Sequence, residues 1–178
     1  MLLYLILSKS HPEYNCYLLP FASHLRRISL PSFGVWALIN FDWCFMDWND
    51  FEREIEILSG KVGEKPDVMV GVVRGGLIPA RMLAKFLGVK EMFCLTVRKV
   101  GNERKVISEI LDDLNGKRIL LVEDILESGK SLIVAKEYLE KKGAKVKTAC
   151  LYTMPWTTIV PDVFVKPITE LVEFPWDG

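Results

Sequence analysis

ILLVEDILESGKSL, Ile119 to Leu132, is the stretch whose reading decides both fold and chemistry. Its first half is an apolar, β-branched run that closes on two adjacent acids, Glu123 and Asp124. Its second half, Ser128-Gly129-Lys130-Ser131, opens a segment with apolar residues at helical spacing. The Gly-Lys-Ser ending is also the tail of a triphosphate-binding P-loop. That motif, G-x-x-x-x-G-K-[ST], puts its first glycine at position 124, which here is Asp. A carboxylate there would turn negative charge on the phosphates, and no other glycine bends the loop around them. The P-loop reading fails.

A different ligand satisfies the same residues. Ionised carboxylates only accept hydrogen bonds, so Glu123 and Asp124 suit a pair of vicinal sugar hydroxyls, met directly or through a metal. At the start of the helix, unpaired amides, the hydroxyls of Ser128 and Ser131 and the missing β-carbon of Gly129 suit one phosphate monoester. Sugar hydroxyls at one end and a phosphate at the other describe a ribose 5-phosphate.

Working outward, strands and helices alternate. DVMVGVV, Asp67 to Val73, reads as a buried parallel strand that breaks at Arg74-Gly75-Gly76. LIPARMLAKFLGV follows as a helix, with Pro79 in its first turn and Gly88 as its stop. Upstream, Phe51, Ile55, Leu58 and Val62 mark an amphipathic helix with acids in its first turns. EMFCLTV, RILLVED and AKVKTACLY supply further strands, and SLIVAKEYLEKKG a further helix. RKVGNERKVISEILDD, Arg98 to Asp113, is polar and charged and reads as a mobile loop. The order predicts an α/β fold: a parallel sheet flanked by helices on both faces, with the tail forming a small C-terminal hood. In such sheets ligands gather outside the carboxyl ends of the strands, where the Arg74 and Glu123–Ser131 loops leave.

Composition narrows the class. The chain has 178 residues, half of them apolar, and a formal net charge of zero. That length fits one domain with an appendage, and no basic face argues for nucleic acid. The four cysteines, Cys16, Cys44, Cys94 and Cys150, are dispersed, with only two histidines to join them. A structural zinc site and a disulfide framework are both disfavoured, and a reducing cytoplasm is the expected setting. MLLYLIL at the start has no basic segment before it and is short for a secretory core. Ser29 to Phe45 is interrupted by Pro31, Gly34, Asn40 and Asp42, so it does not reach the length of a membrane span. Two readings of residues 1–45 stand side by side. Either they lie upstream of a true start at Met46, or they are an extension that packs aromatics onto a domain of residues 46–178.

The motifs, taken together, resemble the type I phosphoribosyltransferases. LLVEDILESGKSL looks like that family's phosphoribosyl-pyrophosphate (PRPP) motif, and VGVVRGGLIPARMLAKFLGV like its pyrophosphate loop. The tail from Leu151 resembles the purine segment of the compact xanthine–guanine and hypoxanthine enzymes, notably archaeal ones, which end near F-P-W-[DE]. The resemblance implies transfer of 5-phosphoribosyl from PRPP to a purine, with release of pyrophosphate and Mg²⁺ as cofactor. Guanine, hypoxanthine or xanthine is the first expectation and adenine the second. A PRPP- or nucleotide-binding regulator without turnover is the alternative, and a homo-oligomer, dimer or tetramer, is implied.

The same resemblance implies roles. Glu123 and Asp124 would hold the ribose hydroxyls and seat the metal, and Glu127 would meet the base near N7. Ser128, Gly129, Lys130 and Ser131 would bind the 5′-phosphate, although Ser128 also reads as a plain helix cap. Arg74 and Gly75 would wrap the pyrophosphate, their peptide being often cis in the family. Arg98, Lys99, Arg104 and Lys105 lie on the loop that closes over the reaction in relatives, with none singled out. Two positions depart from the pattern. Met154 stands where relatives carry a Lys for the purine 6-oxo group, and Leu171 where they carry a stacking aromatic. Trp156 or Phe174 is then the expected substitute platform, with backbone near Val172 reading the base edge.

Overall fold

The computed structural model describes residues 44–177. The two readings of residues 1–45 fall outside them, except for Cys44 and Phe45. The elements are β1 (Cys44–Phe45), α1 (Trp48–Val62), β2 (Val68–Val73), α2 (Leu77–Leu87), β3 (Glu91–Val100) and β4 (Glu103–Val106). They continue with β5 (Arg118–Leu126), α3 (Lys130–Lys141), β6 (Lys145–Thr153), β7 (Val163–Pro167) and β8 (Val172–Glu173).

Six strands form one sheet in the order β4-β3-β2-β5-β6-β7. All neighbours run parallel except β3 and β4. Short-range chemistry sets each helix. Asp47 caps α1 by accepting from the Asp50 amide at 2.7 Å. Gly88 ends α2 in the left-handed conformation, with φ 64°. Phe51, Ile55, Leu58 and Val62 all face inward from α1, as their spacing requires.

Strand alternation then builds two cores. Met69, Leu120 and Val122 pack with α1 and α2 on one face. Val68, Val70, Val72, Ile119 and Leu121 pack with Leu132, Ala135 and Leu139 of α3 on the other. The expected helices on both faces are present. β1 and β8 form a separate parallel pair, continued where the Met46 amide donates to the Glu173 carbonyl at 3.0 Å.

One expectation needs correction. Arg98–Asp113 is not simply a loop: β3 runs on to Val100, turns at Gly101 (φ 62°) and Asn102, and returns antiparallel as β4. Its valines were too few to show alternation, because most of this edge hairpin is exposed. Ile110 beyond it is buried in the α3-side core. Among the described residues no helix is long and apolar enough to cross a membrane.

The join between β6 and β7 carries a testable acid. Asp162 Oδ2 accepts from both the amide and the hydroxyl of Thr148 at 2.7 Å, and the Asp162 amide donates back to Thr148 Oγ1 at 2.9 Å. Burial pushes the Asp162 carboxyl up, but these hydrogen bonds, with Lys136 and Lys147, hold it below its ordinary 3.8. A depressed acid contributes stability in full above 3.8 and loses it as pH falls through the lowered folded value. Asp162→Asn is therefore expected to lower stability near neutral pH and to flatten the acid limb. Urea unfolding across the acid range checks this, and an unchanged limb would remove the acid from that role.

Candidate functional site

The sheet order reverses between β2 and β5: β3 lies to one side of β2, and β5 to the other. Strands that part this way leave a crevice at their carboxyl ends. Here it brings the Arg74 loop beside the Glu123–Ser131 loop, which lie far apart in sequence.

The glycines record how close that approach is. A β-carbon on Gly76 would stand 2.1 Å from the Val122 carbonyl oxygen, so only glycine lets the loop rest on β5. One on Gly75 would meet Asp124 Oδ2 at 1.9 Å. Gly75 thus leaves the space that Asp124 occupies. Arg74 is exposed beside it. The cis peptide of this loop joins Val73 to Arg74, one residue before the Arg74–Gly75 bond expected from the family pattern.

Glu123 and Asp124 are largely enclosed in the carboxyl half of β5. Burial, then the negative charge of Asp124, push the Glu123 carboxyl well above its ordinary value, and Arg104 partly opposes them. Asp124 is also raised, chiefly by burial, and Asp177 adds negative charge. Its Oδ1 accepts from the Ile125 amide at 2.6 Å. Both shifts run the same way, so the enclosed pair favours the protonated form more than free carboxyls do. Neither acid forms an ion pair with Lys or Arg among the described residues. Enclosed carboxylates lacking a cationic partner fit a hard, oxygen-seeking cation such as Mg²⁺.

The helix after this strand is open at its amino end. Gly129 stands at the cap position with φ 71°, and no side chain caps the amides that follow. Ser128 is therefore not the plain cap its sequence allowed. A β-carbon on Gly129 would strike Ile159 Cγ2 at 2.3 Å. Segment 154–159 supports the loop: Thr158 Oγ1 donates to the Ser128 carbonyl at 2.8 Å, and the Met154 amide to Leu126 at 3.0 Å. Glu123, Glu127, Ser128–Leu132 and Arg104 line a cavity of about 150 Å³. A larger hollow, about 590 Å³, opens at the opposite, amino end of the sheet. There Arg118 is held by Asp67 and Glu64, Lys117 by Glu91, and Lys65 by the Gly88 carbonyl, so all its charged residues but Lys90 are already engaged.

Residues 48–178 match the family described as the phosphoribosyl transferase domain. The chain belongs to the phosphoribosyltransferases. It is similar to the purine phosphoribosyltransferase of Pyrococcus horikoshii Ot3, with 40% identity and a TM-score of 0.71 over 77% of this chain and 95% of that one. The xanthine-guanine phosphoribosyltransferase of Gluconobacter oxydans is 28% identical over 73% of this chain and 82% of its own length. A xanthine-guanine-hypoxanthine enzyme of Helicobacter pylori shares the fold, with a TM-score of 0.68 at 22% identity.

The rest of this phosphoribosyltransferase site divides in two. Glu123, Glu127 and Ser128 to Ser131 meet in one cavity, and Asp124 meets Gly75. On the other side Met154 is 3% exposed, whereas Trp156 is 61% and Leu171 57% exposed. Val172 is half-buried beside β1. Phe174 does not offer a free face. It is 2% exposed, and its ring runs nearly parallel to those of Trp176, at 4.6 Å between centroids, and Tyr152, at 6.2 Å. Of the two expected platforms only Trp156 is exposed.

Sequence reasoning missed Asp177, whose charge reaches Asp124 and whose Oδ2 accepts from the Phe174 amide at 3.0 Å. The F-P-W-Asp ending was the signal. It also left Arg104 undistinguished from its neighbours.

Proposed function

We propose that this phosphoribosyltransferase moves ribose 5-phosphate from PRPP to a purine nitrogen and releases pyrophosphate, as in purine salvage in the cytoplasm. The observation that carries the reading is the cavity itself: an uncapped helix mouth with two hydroxyls, and an enclosed carboxyl in the same wall. The names of the Pyrococcus and Gluconobacter relatives support the purine.

The roles follow from chemistry. Amides at the start of α3 and the Ser128 and Ser131 hydroxyls hold the 5′-phosphate, with Gly129 leaving room and Lys130 adding charge. Glu123 and Asp124 accept the ribose hydroxyls. They would also hold Mg²⁺, which when bound neutralises charge on the departing pyrophosphate. Arg74 and the Gly75 amide receive that leaving group. Glu127, exposed at the cavity edge, exchanges a proton with the base near N7. Val172 backbone and the open Trp156 ring contact the base, with Leu171 and Met154 as apolar neighbours. Since position 154 presents no ammonium, guanine, hypoxanthine or xanthine has lost one oxygen-selecting donor, and adenine competes as substrate. A homo-oligomer, dimer or tetramer, completes the proposal.

The test is pyrophosphate release from Mg²⁺ and PRPP with each of four purines. Turnover with at least one base is expected. PRPP binding without release for any base would overturn the enzyme reading. Glu127→Gln is expected to cut turnover by about 10²-fold with PRPP affinity nearly unchanged. Equal losses in both would remove Glu127 from proton exchange.

A further inference from the structure

The hairpin β3–β4 carries four cations, and its register separates them. Val97 faces Val106, and Lys99 faces Arg104. Val97 and Val106 both pack into the core on the α3 side. Side chains alternate along a strand, and cross-strand partners share a face, so Lys99 and Arg104 lie on that same side. Arg98 and Lys105, also partners, lie on the other. α3 is the helix whose uncapped amino end forms the phosphate cradle, so the valines that anchor the hairpin also aim one cation pair toward it.

Of that pair only Arg104 lines the cavity with Glu123 and Ser128–Leu132. Among the described residues it makes no ion pair or side-chain hydrogen bond, while Lys105 lies 3.5 Å from Glu103. Its charge reaches Glu123 across the cavity. A phosphate monoester brings roughly two negative charges, more than the partial charge of a helix end offsets. Arg offers a fork of donors that fits phosphate oxygens in pairs.

We infer that Arg104 is a binding residue for the 5′-phosphate of the sugar substrate, closing the cradle from the hairpin side. This rests on the phosphoribosyl reading and deepens it. The guanidinium takes phosphate oxygens from the hairpin side, while α3 amides hold the phosphate from the other side.

Calorimetry with ribose 5-phosphate, PRPP with Mg²⁺, and pyrophosphate tests it on the full chain. Arg104→Ala is expected to weaken ribose 5-phosphate and PRPP by about tenfold or more, Arg104→Lys by less, and pyrophosphate by no more than about twofold. Lys105→Ala should change all three within about twofold, and melting temperatures should match the wild type. An unaltered ribose 5-phosphate affinity in Arg104→Ala overturns the inference. So does an equal loss in Lys105→Ala, which would reflect hairpin charge rather than position. A loss confined to pyrophosphate would move Arg104 to the leaving group. If the wild type binds neither sugar phosphate, the phosphoribosyl reading itself falls, whatever the variants do.

Discussion

Glu123→Gln is expected to reduce phosphoribosyl transfer by about 10²-fold or more and, at the same time, to raise the melting temperature of the ligand-free protein. The two effects share one cause. Burial and the Asp124 charge hold the Glu123 carboxyl well above its ordinary 4.5. For an acid raised in this way the folded protein keeps a proton that the unfolded chain releases. Its favourable contribution is complete below about 4.5 and is lost as pH climbs toward the raised folded value. At neutral pH the fold therefore carries an ionisation cost that an amide does not. Glutamine keeps a neutral hydrogen-bonding group of the same length, so the cost disappears with the function. For a chain of this size each ~1 kcal/mol recovered is a rise of roughly 2–4 °C. Asp124→Asn should behave alike, with a smaller gain, since its Oδ1 is already satisfied by the Ile125 amide. Thermal melts and pyrophosphate release measure both. A variant that melts lower, or turns over normally, would mean that the acids are not a strained pair held for substrate.

Gly76→Ala should destabilise the fold by roughly 3 kcal/mol or more. The added carbon would meet the Val122 carbonyl oxygen at 2.1 Å and the Val72 carbonyl oxygen at 2.9 Å. Both are backbone atoms within the central sheet, so neither can rotate away. Either α2 lifts from the sheet or β2 and β5 part. Gly75→Ala makes the informative contrast. Its carbon would meet the Asp124 carboxyl, a side chain that can move. That variant should keep most of its stability and lose activity, because the displaced acid is one of the pair. Urea unfolding beside the activity assay separates the outcomes. Wild-type stability in Gly76→Ala would show that the loop does not rest on β5 as described.

Much of the fold could be read locally because its causes are local. Gly88 stops α2 through its own backbone freedom, Asp47 caps the turn beside it, and the spacing of Phe51, Ile55, Leu58 and Val62 is a property of one helix. That Glu123 and Glu127 to Ser131 gather at one cavity was legible for the same reason, since they lie within a single strand–turn–helix. The end of β3 and the return strand β4 were not, because every side chain from Arg98 to Lys105 is exposed and such a stretch shows no apolar alternation. Phe174 was misjudged as a platform because nothing local reveals that its ring is buried, with Trp176 and, from another strand, Tyr152 packed near it.

The amino-acid sequence by itself determined most of the elements, their order and the chemical character of the Glu123–Ser131 loop, since each depends on neighbours along the chain. Tertiary structure alone decided which loops meet. The reversal of strand order between β2 and β5 sets Asp124 against Gly75, and the hairpin register sends Arg104 rather than Lys105 to the cavity. Both depend on pairings between distant segments, whose hydrogen bonds join backbone to backbone and leave little mark on residue identity.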